Sequence, residues 1–466
     1  MQSGRRRKSM TRVFYAVLME TVPVIGAGLA GSEAALQLAA AGFRVVLHEM
    51  RPIVPTAAHQ TDHAAELVCS NSMGSMLADR PAGVLQAELR SLNCHLLPLA
   101  EANSVPAGAA LAVDRDAFGA AVTAHLEAHP NIELRRGEVL EVPDHGPCII
   151  ASGPLTSESL AASIQRLTGE EHLSFFDAIA PVVVADSVDR TVVFEAARWG
   201  NGDPDYLNIP LNREEYTTFV EAMIAAEKHE LKGFEAADPR AKQFFERCLP
   251  VEILAARGLE SLRFGPMRPV GLDDPRTGRW PWAVIQLRRE NAAGTLHNMV
   301  GFQTNLKYGE QESLLRSLPG MQNAEFVRLG SMHRNTFLDS PKMLTANLEF
   351  RERDGLFFAG QITGMEGYLG NIGSGLIAGR NLVRRLKGLK PEPLPRETLL
   401  GALSHHVAEA PTKDFQPMKA HFGLLPPLVP PRKKAERRPA YAQRSAALME
   451  EFRHNQAAEM ATPAPS

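Results

Sequence analysis

Four cysteines, at positions 69, 94, 148 and 248, are the residues of this 466-residue chain whose type suits covalent chemistry. No two of them stand in a CxxC or CxxH pair. That spacing excludes a sequence-local zinc site and a disulfide scaffold, so no metal is expected, and it fits a reducing compartment. What remains open to a cysteine here is reaction as the thiolate. Cys69 lies in the polar, loop-like segment Glu66-Leu-Val-Cys-Ser-Asn-Ser-Met-Gly74, after His59, Asp62 and His63. Cys248 lies in Phe244-Phe-Glu-Arg-Cys-Leu-Pro-Val-Glu252, where Arg247 favours a thiolate if the two side chains converge. Cys94 and Cys148 sit in apolar contexts and read as core, the alternative open to any cysteine.

Two loops rich in Gly, Pro and Arg add cationic, planar groups. One runs from Leu262 to Leu272 and carries Arg263 and Arg268; the other runs from Gly330 to Phe337 and carries His333 and Arg334. A guanidinium offers a flat fork and a stacking face to anionic or planar ligands. The alternative is ordinary turn chemistry with surface arginines.

Such groups need a scaffold, and the start of the chain supplies one. Thr21 to Ile25 reads as a short buried strand, Gly26-Ala-Gly-Leu-Ala-Gly31 follows at once, Ser32 to Ala41 has helical composition, and Arg44 to Glu49 is a second strand. This is G-x-G-x-x-G in its required place. Gly26 allows the tight turn, Gly28 lets backbone approach a pyrophosphate, and Gly31 lets the helix pack close to the sheet. The helix N-terminus offers N–H groups to the anion, and Glu49 ends the second strand where a carboxylate can accept ribose hydroxyls. Gly26, Ala27, Gly28, Leu29, Ala30, Gly31, Glu49 and Arg51 are therefore the cofactor-binding candidates at this end. The motif by itself fits FAD and NAD equally.

A second segment favours FAD. Asp354 to Gln361 reads as a strand entering a glycine turn, followed by Gly364, Gly367, Gly370, Gly373 and Gly375 and an amphipathic helix from about Gly375 to Leu386. Two-dinucleotide-domain flavoproteins set such a helix N-terminus beside the flavin. Gly360, Gln361, Gly373 and Gly375 join the cofactor candidates. The expected fold is α/β: a discontinuous Rossmann-like FAD-binding domain over 20–195 and 325–425, with an α/β insertion domain over 196–324. Residues 1–19, with Arg5, Arg6, Arg7, Lys8 and Arg12, read as a disordered basic leader, Met10 or Met19 being the expected first residue; a targeting peptide is the alternative. Residues 426–466 read as a Pro-rich linker, a basic helix over Ala440 to Phe452 and a tail. Between 432 and 454 seven basic residues, Arg432, Lys433 and Lys434 among them, face three acidic ones, which suits either a solvated helix or a phosphate-contacting arm. The net charge of −3 leaves no global positive field, so a polyanion must be met by a local patch. No apolar run reaches the ~18 to 20 residues of a membrane helix, so no membrane is expected.

These segments together resemble the folate- and FAD-dependent tRNA uracil-5-methyltransferases, the methylenetetrahydrofolate–tRNA-(uracil-5-)-methyltransferase family, related to glucose-inhibited division protein A. The resemblance is carried by VIGAGLAGSEAA with HEMRP, TDHAAELVCSNS, FFDAIAPVV, FERCLPVE, LRFGPMRPVGL, AVIQLRREN, NMVGFQTNLK, MHRNTF, LFFAGQITGMEGY and FGLLPPL, over roughly residues 20 to 450. It implies C5-methylation of the T-loop uridine of tRNA (conventional position 54). The methylene comes from 5,10-methylenetetrahydrofolate and the electrons from NAD(P)H through FAD, in the cytoplasm. It further implies that one cysteine thiolate adds at uracil C6, that reduced flavin N5 carries the methylene, and that a second cysteine holds the methylene or removes the C5 proton. Cys248 matches the family's nucleophile position and Cys69 its second cysteine, with the two roles open to exchange. His333 is the candidate for stacking on the pterin, and Arg263, Arg268, Arg334, Arg432, Lys433 and Lys434 for folate or tRNA contacts. Two places depart from the family pattern: Ile209 stands where a cysteine is expected, and Gly370-Asn-Ile-Gly-Ser-Gly375 differs beside the flavin. The alternatives are a flavin-dependent oxidoreductase acting on a small molecule and a non-catalytic flavin-containing RNA-binding protein.

Overall fold

Short β-branched runs next to glycine turns build the first sheet. The structure, a computed structural model, describes residues 21–461 apart from 57, 170–172, 201–202, 230–248, 331 and 413–414; for 173–178, 332–336, 457, 458, 460 and 461 it describes the backbone. Strand β1 (Val22–Ile25) is followed through the turn by helix α1 (Leu29–Ala40), whose small residues are buried from Leu29 to Ala39. A helix buried all round must be made of residues with little side chain to exclude, and this one is mostly Ala, Gly, Ser and Leu. Strand β2 (Val45–Glu49) returns parallel to β1, with Val22 opposite Val45 and Ile25 opposite His48. Helices α2 (Pro81–Ser91) and α3 (Arg115–Glu127) follow, the latter capped by Asp114, which accepts the Ala117 N–H at 3.0 Å. Strands β3 (Ile132–Arg136) and β4 (Cys148–Ile150) pair parallel with β2 and β1 respectively.

The chain then leaves this unit along β5 (Leu173–Ala178) and builds a second sheet. Its strands are β6 (Val182–Val184), β7 (Phe194–Glu195), β8 (Tyr206–Leu211), β9 (Ala283–Arg289), β10 (Leu296–Met299) and β11 (Phe326–Arg328), antiparallel in the order β7–β8–β9–β10–β6–β11. Helix α4 (Arg213–Ala225) starts at a capping box, Asn212 with Glu215, and lays Tyr216, Phe219, Val220 and Met223 into a core shared with Ile209, Ile285 and Leu287. Ile209, the departure from the family pattern, is fully buried there, where an apolar side chain is what the site requires. Strand β12 (Met332–Phe337) carries the chain back antiparallel to β5, Met332 opposite Ala178 and Phe337 opposite Leu173.

The second unit is therefore wider than 196–324. Strands β6, β7 and β11, which fall within 20–195 and 325–425, join the second sheet, and Val183, Val188 and Val193 sit in its core. A three-residue apolar strand carries no mark of which sheet it joins. Strand β13 (Leu356–Phe358) pairs with β4 and completes a parallel first sheet in the order β13–β4–β1–β2–β3, drawn from both ends of the chain.

Three helices close the first unit: α5 (Tyr368–Leu386), α6 (Leu399–Glu409) and α7 (Lys434–Ala461). Helix α5 begins seven residues before the expected Gly375. Glycines that look like breakers are here the face that lets α5 approach its neighbours. Helix α7 runs well beyond 440–452 at both ends, and Pro439 lies within its exposed second turn, where the carbonyl left without a partner meets water. The reading of α7 as a solvated helix holds for its basic start alone, because Met449 and Phe452 are buried in the first unit's core. No helix among the described residues is long and apolar enough to cross a membrane.

Glu88 on α2 joins these helices. Its carboxylate accepts the Leu399 N–H at 2.6 Å and the Leu400 N–H at 2.7 Å, at the start of α6, and the Ser445 hydroxyl of α7. Burial pushes Glu88 up to about 7, while these three donors pull the other way. The unfolded chain releases this proton near 4.5, so between 4.5 and 7 the folded state holds a proton that the unfolded state has lost. The stability associated with Glu88 is then full below 4.5 and falls as pH rises to 7, by about 3 kcal/mol at 1.4 kcal/mol per unit. Glu88→Gln is expected to remove that slope. Urea midpoints measured from pH 5 to 8 check this: the difference between the two proteins should change across the window, and a constant difference would contradict it.

Candidate functional site

The turn between β1 and α1 shows three different demands on three glycines. Gly26 has φ +100°, and a Cβ there would lie 2.5 Å from the Ala151 carbonyl oxygen. A Cβ on Gly31 would lie 1.8 Å from the Gly26 oxygen, so Gly31 is required by the turn itself. Gly28 is different: a Cβ there meets nothing within 4 Å, because that side faces an open cleft. Gly28 is also the N-cap of α1, with no side-chain cap and no acid in the first turn. The N–H groups of the helix start thus face the cleft without a competing side chain, as a phosphate site requires.

Glu49 closes this end. Its Oε2 accepts the Ala27 N–H at 3.1 Å, and its Oε1 accepts the Arg51 backbone N–H at 3.0 Å and Nε–H at 2.9 Å. Burial alone would raise this carboxyl, but the Arg51 guanidinium with the Arg51 and Ala27 donors holds it below the ordinary range. Glu49 therefore stays ionised, with lone pairs left for hydroxyl donors. Arg51 reaches on to Glu66 at 2.9 Å and to the Thr61 and His63 carbonyls, fixing the loop that leads to Cys69.

The cleft measures about 1030 Å³ with its open mouth. Gly26, Gly28, Leu29, Ala30, Glu49 and Arg51 line it on one side, Gly360 and Gln361 with Tyr368 and Asn371 on the other. Gly360 has φ +84° and donates its N–H to the Ser374 hydroxyl at 2.7 Å; Gln361 donates to Glu366 at 2.7 Å. Gly373 and Gly375 do not line it. Both are buried within α5, where a Cβ on Gly373 would meet Leu400 at 2.5 Å and one on Gly375 the Ala30 oxygen at 2.0 Å. They are packing glycines, and for Gly375 the four-residue spacing with Gly379 against Ala30 and Ala34 is the signal. A dinucleotide fits this cleft on the structure's own terms. The uncapped start of α1 waits for an anion, and the Asn371 side-chain oxygen at the start of α5 is buried without a partner.

Cys69, half-buried, adjoins this cleft: its neighbour Val68 and its partner Tyr368 both line it. The Tyr368 hydroxyl accepts the Cys69 N–H at 3.1 Å and the Ser70 N–H at 3.0 Å. Three arginines hold the same segment from other elements. Arg115 donates to the Leu67 carbonyl, Arg328 to the Val68 carbonyl at 3.3 Å, and Arg288 to the Ser70 hydroxyl at 2.8 Å and Asn71 Oδ1 at 3.0 Å. Asn71 in turn donates to the Arg289 carbonyl at 2.9 Å, which ties the segment to β9 of the second unit. Sequence reasoning missed Tyr368, Arg115, Arg288 and Arg328, because only the tertiary fold brings them to Cys69; Tyr368 is 299 residues away.

The remaining candidates fall elsewhere. Cys248 lies outside the described residues, as does the leader 1–19. His333 and Arg334 stand on β12 opposite Asp177 and Phe176 in register. Arg263 is committed within the second unit, its guanidinium 3.9 Å above the Trp282 ring with Nε–H donated to the Trp282 carbonyl at 2.9 Å. Arg268 is exposed on that unit, and Arg432, Lys433 and Lys434 are exposed where α7 begins; none of these lines the cleft. Cys94 and Cys148 are buried as read; burial pushes Cys94 well up, with Glu33 adding to it, and Cys148 up to about 12. Among the described residues no cluster of three or more His, Cys, Asp or Glu could hold a metal ion.

Comparison with known proteins gives a consistent picture. The family model described as glucose inhibited division protein A matches residues 21–390. The methylenetetrahydrofolate–tRNA-(uracil-5-)-methyltransferase TrmFO of Desulfitobacterium hafniense is 52% identical over 436 residues, covering 93% of this chain and 99% of that protein. The protein of the same name from Symbiobacterium thermophilum is 54% identical over 427 residues, covering 91% and 95%. Among solved structures, Aquifex aeolicus GidA superposes with a TM-score of 0.66 at 16% identity, over 92% of this chain and 73% of that one, a likeness of fold.

Proposed function

The chain belongs to the glucose-inhibited division protein A family and groups within it with the methylenetetrahydrofolate–tRNA-(uracil-5-)-methyltransferases, and on that premise we propose that it methylates C5 of the T-loop uridine of tRNA. The one-carbon unit comes from 5,10-methylenetetrahydrofolate. FAD, when bound, supplies electrons drawn from NAD(P)H. The α1 start and Glu49 hold the pyrophosphate and ribose of the dinucleotide, and the α5 start with Asn371 meets its ring system. Thiols that must stay reduced and a tRNA substrate both belong in the cytoplasm.

The chain's own residues then do the following. The Cys248 thiolate adds to uracil C6; the C5=C6 pair moves to C5 and C5 becomes nucleophilic. C5 bonds to the donated carbon as that carbon's bond to its carrier nitrogen breaks, the pair staying on nitrogen, and the electrons that FAD would supply when bound bring the carbon to the methyl level. Cys69 removes the C5 proton, and elimination of the Cys248 sulfur restores the double bond. The T arm docks through phosphate contacts at Arg268 and at Arg432, Lys433 and Lys434, and the uridine must leave its stack to enter. The observation that supports this reading is the seat of Cys69 beside the cleft, next to Val68 and with its N–H donated to the Tyr368 hydroxyl.

The test is methyl transfer to an unmodified T-arm RNA. Product is expected only when methylenetetrahydrofolate and NAD(P)H are both present. Transfer from S-adenosylmethionine in their place, or flavin turnover indifferent to RNA, would contradict it.

A further inference from the structure

The charged and titratable groups that face Leu67 to Asn71 are Arg115 on α3, Arg288 on β9, Glu290 just beyond it, Arg328 at the end of β11 and Tyr368 at the start of α5. Three guanidiniums thus stand against one carboxylate. Glu290, 6% exposed, spends Oε1 on Arg115, and its Oε2 is buried without a partner. Arg328 uses one N–H on the Val68 carbonyl, and its Nε and Nη2 are buried with no hydrogen-bond partner. The side chain is half-buried, but these two N–H donors are enclosed with no acceptor, and native structures complete such donors with water or an anion. Burial, then the neighbouring Arg115, pull Arg328 below the usual guanidinium range, while negative charge at Glu290 and at Cys69 opposes this. Arg115 also feels charge on Cys69. Tyr368 does not compete for the role, since burial, then Cys69, push its phenol well up.

We propose that Cys69 is held as a thiolate at neutral pH, with Arg328 as its counter-ion and Arg115 and Arg288 reinforcing the field. Arg328 is a positioning residue in this arrangement: it acts on the reaction through the sulfur. A guanidinium beside a thiol stabilises the anion, and the effect grows where water is excluded. The other two described cysteines lack such a seat, and their burial favours the neutral thiol. What the thiolate does, proton removal at C5, rests on the function proposed above; its existence does not.

The experiment is alkylation of the FAD-bound protein by iodoacetamide, with modification of Cys69 followed by peptide mass spectrometry from pH 5 to 10, in wild type, Arg328→Gln and Arg328→Lys. The wild-type inflection is expected at least about one unit below the ordinary thiol value of ~8.5. Arg328→Gln should raise it by about one unit or more and slow Cys69 alkylation at pH 7 by roughly tenfold, one unit being a tenfold change in thiolate fraction. Arg328→Lys, which keeps the charge but not the planar fork, should fall between. A wild-type inflection at or above 8.5 overturns the proposal, and so does an inflection unmoved in flavin-bound Arg328→Gln. If that variant does not retain flavin, the wild-type value and the Arg328→Lys shift still decide. Neither RNA nor folate enters the assay, so absent methyl transfer with a low inflection counts against the proposed function alone.

Discussion

Cys69→Ala and Cys248→Ala are each expected to lower methyl transfer to a T-arm RNA by about 10³-fold or more, the scale on which removal of a covalent nucleophile or its partner acts. The reason is electronic. Uracil C5 carries little nucleophilic density until a sulfur saturates C6, and the product forms only after the C5 proton departs. The two variants should separate on a substrate with fluorine at C5. Fluorine cannot leave as the proton does, so an enzyme that completes addition and transfer stays bonded through C6. A covalent RNA–protein species stable to denaturant is expected for wild type and for Cys69→Ala, and none for Cys248→Ala. The reverse pattern would exchange the two roles, and full activity in both variants would remove the sulfur chemistry altogether. Cys148→Ala is the control: that thiol is buried on β4 and pushed up to about 12, and its loss should leave turnover unchanged.

The parts of this site visible in the sequence are those whose physics is local. A strand, a turn that tolerates no side chain, a helix and a terminal Glu occupy positions 22 to 49, and each constrains the next within a few residues. Glu49 was read as a ribose acceptor from its place at the end of β2, and it does line the cleft. Its bond to the Ala27 N–H, which stiffens the turn, was not foreseen. The seat of Cys69 was invisible for a different reason. Its loop is polar and irregular, and Tyr368, Arg115, Arg288 and Arg328 reach it only after both units have folded. The same holds for Glu88, whose burial follows from α6 and α7 arriving from positions 399 and 434. Gly373 and Gly375, expected to meet the cofactor at a helix start, lie inside α5, and there the glycines serve close approach.

That distinction has a measurable consequence. Gly375→Ala is expected to destabilise the protein by about 3 kcal/mol, at the upper end of overpacking costs, and to release flavin. The added carbon would lie 2.0 Å from the Ala30 oxygen and 2.9 Å from its Cα, and backbone cannot rotate away as a side chain can. Helix α5 would have to lift from α1, and α1 carries the turn that meets the pyrophosphate. Gly28→Ala makes the opposite case. Its Cβ meets no protein atom within 4 Å, and φ of −72° suits any residue, so the apoprotein should unfold within a degree or so of wild type. The methyl group would instead occupy space that a bound dinucleotide needs, weakening flavin by about tenfold or more, about 1.4 kcal/mol. Thermal unfolding of the two apoproteins, set against flavin retained on gel filtration, separates the effects. Gly375→Ala should lose both stability and flavin, and Gly28→Ala flavin alone. An apoprotein of Gly375→Ala as stable as wild type would mean that α1 and α5 are not in backbone contact. Undiminished flavin binding in Gly28→Ala would mean that the coenzyme does not pass over this turn.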